Sequence, residues 1–204
     1  MSIHKINNIF SEEELKSIYE IIYNTHIPIL KDGSYIPAAD NFGTGVDSTL
    51  GRLQIGNLQG LSKQIKDKLA DIAHSLSDTA LSMDHALYVE YSSKYGAPNL
   101  PPHFDYDTND MIINFQLEAN TSWDLGLGLE TYSLENNSAL IFNGNEHIHW
   151  RVHKKFNDGE YVRMIFFRFY NSEKRSDYSH LNYLQDDDVF KEVRDFRDSL
   201  NPYI

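Results

Sequence analysis

The sequence predicts a mainly β domain of the α+β kind, a sandwich or barrel packed against helices. Three observations predict it. Before about residue 84, two stretches carry apolar residues at helical spacing; beyond it, short runs alternate apolar with polar; and turn-forming residues separate those runs. The length of 204 residues suits one sizeable core and is short for two. The expected layout is one domain over 1–204, with helical support over about 1–83, a β core over about 84–172 and a helical extension over about 173–204.

The first helix opens at "FSEEELKSIYEIIYN". Ser11 and Glu14 stand at capping-box spacing, and Leu15, Ile18, Tyr19 and Ile22 fall on one face. The stretch "KDGSYIPAADNFGTGVDSTLG" is rich in Gly, Asp, Ser and Pro and reads as a long loop, with residues 31–50 a candidate lid. "GRLQIGNL" reads as a short strand. From Leu61 onward, Ile65, Leu69, Ile72 and Leu76 mark a second amphipathic helix. The strand candidates are "HALYVEYSS", "MIINFQLEA", "LGLGLETYS", "SALIFNG" and "YVRMIFFRFY". "QDDDVFKEVRDFRDSL" reads as a final helix with acids in its first turn, which explains the "DDD" run better than a metal site does.

Composition narrows the function classes. An apolar fraction of 41 % argues for a folded domain. A formal net charge of −12 repels phosphate backbones and anionic lipid, so neither nucleic acid nor membrane is an expected partner. The chain has no cysteine, which excludes disulfides and thiolate metal sites. The opening "MSIHKINNIF" lacks an apolar run of signal-peptide length, and no segment is long enough to span a bilayer, so a soluble cytoplasmic protein is the simplest expectation.

The chemistry centres on "PPHFDYDTND". In a strand, residues i and i+2 share a face, so His103 and Asp105 present an imidazole and a carboxylate side by side. A third ligand can arrive from "NGNEHIHWRVHKK", which holds His147, His149 and His153. Two histidines and one carboxylate form a facial triad suited to non-haem Fe(II), with positions left open for substrates. Arg163 opens the last apolar strand, and a guanidinium deep in a barrel needs an anionic partner such as a dicarboxylate. Arg168 has the opposite strand parity, so only one of the two faces inward.

"HFD" at 103–105, Trp123, "ALIFNG" at 139–144, "HWR" at 149–151 and "GEYVRMIFFRF" at 159–169 resemble the Fe(II)/2-oxoglutarate-dependent dioxygenases, in particular the prolyl-4-hydroxylase-like branch. The resemblance covers about residues 84–170. It implies a double-stranded β-helix, a jelly-roll or cupin-like barrel, with helices before and after it. It further implies Fe(II), 2-oxoglutarate and O2, with ascorbate as a supporting reductant and succinate and CO2 as products. Carried over by position, His103, Asp105 and His149 are the iron ligands and catalytic centre, and Arg163 pairs with the far carboxylate of 2-oxoglutarate. Family spacing to Arg163 favours His153 as the distal ligand, and the local pattern favours His149; His147 is a third choice. Tyr91 sits where the family often has a tyrosine near the cosubstrate. Asn114 and Gln116 alternate with Ile113, Phe115 and Leu117; if the apolar set faces the outer layer, both amides point into the barrel.

The retained Asp105 favours hydroxylation over halogenation, because related halogenases carry a small residue there. The expected substrate is a peptide side chain or a small amino-acid-like molecule. The competing classes are a non-catalytic metal-binding barrel and a zinc-dependent hydrolase, neither of which uses Arg163.

Overall fold

Ser11 caps the first helix as its spacing predicts: its hydroxyl accepts from the Glu14 backbone N–H at 3.2 Å, and the Glu14 carboxylate accepts from the Ser11 N–H at 2.8 Å. The computed structural model describes residues 2–25, 36–38, 43–105, 110–171 and 187–200, the side chains of 187–190 excepted. Helix α1 runs Glu12–Asn24 and helix α2 runs Lys63–Ser75, the latter capped by Ser62. Their apolar stripes, Ile18 and Ile22 on α1 and Ile65, Leu69 and Ala73 on α2, are buried against a sheet.

The strands are β1 (His4–Asn7), β2 (Gly45–Asp47), β3 (Arg52–Ile55), β4 (Leu81–Ser92), β5 (Met111–Ala119), β6 (Leu125–Leu127), β7 (Glu130–Tyr132), β8 (Ser138–Phe142), β9 (His149–Arg151) and β10 (Tyr161–Asn171). Seven form a large antiparallel sheet in the order β1-β8-β5-β10-β4-β3-β2, and three form a smaller sheet, β7-β6-β9. Helix α3 (Asp187–Ser199) follows.

Strand alternation divides the large sheet's side chains into two layers. Ile113, Phe115, Leu117, Ile165, Phe167 and Phe169 pack on the helices. Leu87, Val89, Tyr91, Leu140, Phe142, Val162 and Met164 face the small sheet and meet Trp123, Leu125, Leu127 and Leu134. The site lies at one end of this second layer. This is the barrel packed against helices that the alternation predicts, and the double-stranded β-helix that the resemblance implies.

Three details differ from the sequence reading. "LGLGLETYS" divides into β6 and β7, because Gly128 turns the chain with φ of +53°. The polar loop contains a strand, β2; the rest of the candidate lid falls partly on 31–35 and 39–42, outside the described residues. The N-terminal strand β1, which has no strong alternation, is held at the sheet edge by β8, with His4 opposite Ile141. The large sheet thus draws β1, β2 and β3 from the part of the chain read as helical support.

Candidate metal centre

His103 and His149 meet through an antiparallel bridge. The His103 N–H donates to the His149 carbonyl at 3.1 Å, and the His149 N–H donates back at 2.9 Å. Two residues on, the Asp105 N–H donates to the Gly144 carbonyl at 2.9 Å, fixing the carboxylate over the end of β8. The side chains converge. His103 Nε2 lies 4.0 Å from Asp105 Oδ1, and His149 Nε2 lies 3.7 Å from Asp105 Oδ2. One ligand atom from each of the three residues lies within 4.8 Å of the others.

Both imidazoles are held by their remote nitrogens. His103 Nδ1 bonds the Pro101 carbonyl at 2.8 Å, and His149 Nδ1 bonds the His147 carbonyl at 3.1 Å. A carbonyl only accepts, so each Nδ1 carries a proton and each Nε2 faces the common centre. Burial, and then the neighbouring His149, push the His103 pKa down to about 4, so its imidazole is neutral at pH 7. Burial works to raise Asp105, but His149, Arg168 and His103 outweigh it and hold the carboxyl below its ordinary value. Asp105 Oδ2 is buried without a hydrogen-bond partner. Two imidazoles and an ionised carboxylate with an orphaned buried oxygen fit a divalent metal that accepts nitrogen and oxygen ligands.

The structure does not bring every sequence-predicted residue to this centre. His153 is exposed beyond the end of β9, and His147 Nδ1 bonds the Asn143 carbonyl at 3.0 Å; neither belongs to the cluster. Arg163 lies elsewhere. It shares the helix-facing side of β10 with Ile165 and Phe167, where its Nε meets Glu90 at 2.8 Å and its Nη1 meets Glu118 at 2.7 Å. The barrel-facing arginine of that strand is Arg168, whose Nη2 stands 3.9 Å from Asp105 Oδ1. Tyr91, Asn114 and Gln116 do face the barrel. The Gln116 amide is used on the Leu134 carbonyl at 2.8 Å, whereas Asn114 Oδ1 is buried with no partner. Sequence reasoning missed Arg52 and Arg151, both buried on barrel-facing positions.

No family model matches the chain, and no curated protein is similar to it in sequence. Solved structures are similar in fold. A prolyl hydroxylase from Trichoplax adhaerens, in complex with a hypoxia-inducible-factor peptide fragment, superposes with a TM-score of 0.55 at 11 % identity, over 85 % of this chain and 86 % of that one. HygX from Streptomyces hygroscopicus, with nickel, 2-oxoglutarate and hygromycin B bound, gives 0.53 at 11 % identity, over 83 % of both chains. An oxidoreductase of the 2OG-Fe(II) oxygenase family from Burkholderia pseudomallei gives 0.52 at 10 % identity, over 83 % of this chain and 84 % of that one. The fold these comparisons show is therefore the double-stranded β-helix, which the three proteins share.

Proposed function

We propose that the chain is an Fe(II)- and 2-oxoglutarate-dependent dioxygenase that hydroxylates a peptide side chain or a small amino-acid-like molecule. One observation carries this reading: two imidazole Nε2 atoms and a buried Asp105 oxygen with no hydrogen-bond partner converge inside a double-stranded β-helix. Overall, a C–H bond of the substrate, O2 and 2-oxoglutarate give the C–OH product, succinate and CO2. His103, Asp105 and His149 would hold the iron, which would supply the activation of O2 against the oxo acid.

The remaining work belongs to the chain's own groups. The Pro101 and His147 carbonyls fix the imidazole tautomers. Arg168 flanks Asp105 and favours its ionised form. Asn114 offers the cosubstrate an unused amide on the barrel side of β5. The apolar lining formed by Leu140, Phe142 and Met164 keeps the interior dry. One comparison protein is in complex with a peptide fragment and another has hygromycin B bound, so the fold serves partners as different as these. No helix among the described residues is long and apolar enough to cross a membrane.

The test is an anaerobic titration of the Fe(II)-loaded protein with 2-oxoglutarate, followed by aerobic incubation with peptide and amino-acid libraries and, in parallel, methylated DNA. We expect a visible absorption change on cosubstrate binding, then a product heavier by one oxygen atom in step with succinate. Turnover confined to DNA would refute the substrate class, and failure to bind 2-oxoglutarate would refute the reading itself.

A further inference from the structure

Away from the metal ligands, the barrel-facing layer holds a second cluster of charged groups. Arg151 on β9 and Arg52 on β3 are each only 5 % exposed. The Arg151 guanidinium donates to the Trp123 carbonyl and, at 3.6 Å, to the Met164 sulfur, and it lies 5.1 Å from the centre of the Trp123 ring. None of these partners is anionic. Among the described residues, no carboxylate stands within ion-pair distance of Arg151.

Arg52 shares the cluster. Its Nη1 donates to the Tyr91 hydroxyl at 3.4 Å, its Nε stands 3.7 Å from Asp47 Oδ2, and that Nε makes no hydrogen bond. Tyr91 is fully buried, with its ring 4.9 Å from Trp123, so it sits between the two arginines. Asp47 offsets the charge of Arg52. Among the described residues, nothing in direct contact offsets Arg151. A buried cation held only by neutral acceptors is an unfavourable arrangement that a buried anion relieves.

The cluster is also placed to share a ligand with the metal centre. Arg151 follows His149 by two residues on one strand, and both are buried on the same side of β9. Two strand residues advance about 6.6 Å, on the scale of an extended five-carbon diacid. The barrel-facing residues of β10 beside this cluster, Val162 and Met164, are apolar. We propose that Arg151, with the Tyr91 hydroxyl and Arg52 beside it, binds the far carboxylate of a 2-oxo dicarboxylic acid whose oxo-acid end faces His103, Asp105 and His149. This rests on the oxygenase reading above and moves the anchor off the last strand, where Arg163 is already engaged by two glutamates.

The experiment compares 2-oxoglutarate with 2-oxobutyrate, which has the same oxo-acid end but no far carboxylate. Both are titrated anaerobically into the Fe(II)-loaded full chain by calorimetry and visible absorption. The unmodified protein should bind 2-oxoglutarate about a hundredfold or more tighter. Arg151→Gln should bring 2-oxoglutarate down to within a few fold of 2-oxobutyrate, with Fe(II) and 2-oxobutyrate affinities unchanged; Arg163→Gln should keep the full ratio. Should Arg151→Gln fail to fold, Arg151→Lys and Tyr91→Phe take its place, each expected to give a ratio between the two extremes. A full ratio in the folded Arg151 variant, or in both replacements, overturns the anchor. Equal binding of the two acids by the unmodified protein overturns the anchor alone, whereas binding of neither overturns the oxygenase reading and the anchor with it.

Discussion

A Cβ placed on Gly144 would lie 2.5 Å from Asp105 Oδ2, closer than any real contact permits. The glycine is required by this approach, because the Asp105 N–H bonds its carbonyl and the carboxylate folds back over it. Gly144→Ala should therefore displace the carboxylate and lower Fe(II) affinity by about 10–100-fold, the effect typical of disturbing a ligand's support. Metal titration of the folded variant checks this, and an unchanged affinity would show that Asp105 is not the ligand.

The distal position can be tested directly. His149→Ala should lower Fe(II) affinity by more than about a hundredfold, beyond the effect of outer-shell changes. His147→Ala should leave it near the wild-type value, because His147 supports His149 through its backbone carbonyl and not its ring. His153→Ala should do the same, since that side chain is exposed beyond the strand. Loss of iron in His153→Ala alone would reassign the ligand.

Arg163 has a structural task. It joins Glu90, whose side chain is 8 % exposed, to Glu118 across three strands, and Tyr19 on α1 donates to Glu118 at 3.2 Å. Removing the guanidinium leaves Glu90 with Lys94 at 2.7 Å, so the carboxylate is not orphaned. Arg163→Ala should cost about 2 kcal/mol of folding stability, with solvent access limiting the loss. Denaturant unfolding measures it, and a loss near zero would mean that the network does not hold the α1 side of the sheet.

Much of this was legible in the sequence. The capping box placed α1, the helical spacing of Ile65 and Leu69 placed α2, and alternation placed β5 and the facing of Asn114 and Gln116. His-x-Asp and the distal region marked the residues that the fold brings together as a candidate metal centre. The proposed anion anchor was less legible, for a physical reason. Parity along β10 shows that Arg163 and Arg168 face opposite layers, but not which layer is the barrel; that depends on how the helices dock. Glu90 and Glu118, the partners that hold Arg163 outward, come from strands 73 and 45 residues away in sequence. Arg151 did leave a trace. The i, i+2 rule that joined His103 to Asp105 applies equally to His149 and Arg151. Strand β1 left almost none, because its pattern is short and its place is set by β8.

The metal-free protein should weaken as the pH falls from neutral, and His103 should account for part of that. Its pKa is pushed from the ordinary 6.5 down to about 4 in the folded chain. Between those values the unfolded chain binds a proton at this residue and the folded chain does not, so folding stability falls with pH. Its side chain is 29 % exposed, which moderates the effect, and from pH 7 to 5 the contribution is about 1–2 kcal/mol. Asp105 is shifted in the same direction and extends the loss at still lower pH. His103→Gln cannot titrate there, so the variant should lose less stability than the wild-type protein over the same interval. Bound Fe(II) should flatten the wild-type profile, because the metal occupies the lone pair that the proton needs. Urea unfolding at pH 7 and pH 5, for both proteins in chelator and for the wild type with Fe(II) under anaerobic conditions, makes the comparison. Equal losses in chelator would show that His103 is not held neutral by its surroundings, and an unflattened profile with iron would show that its Nε2 is not a ligand.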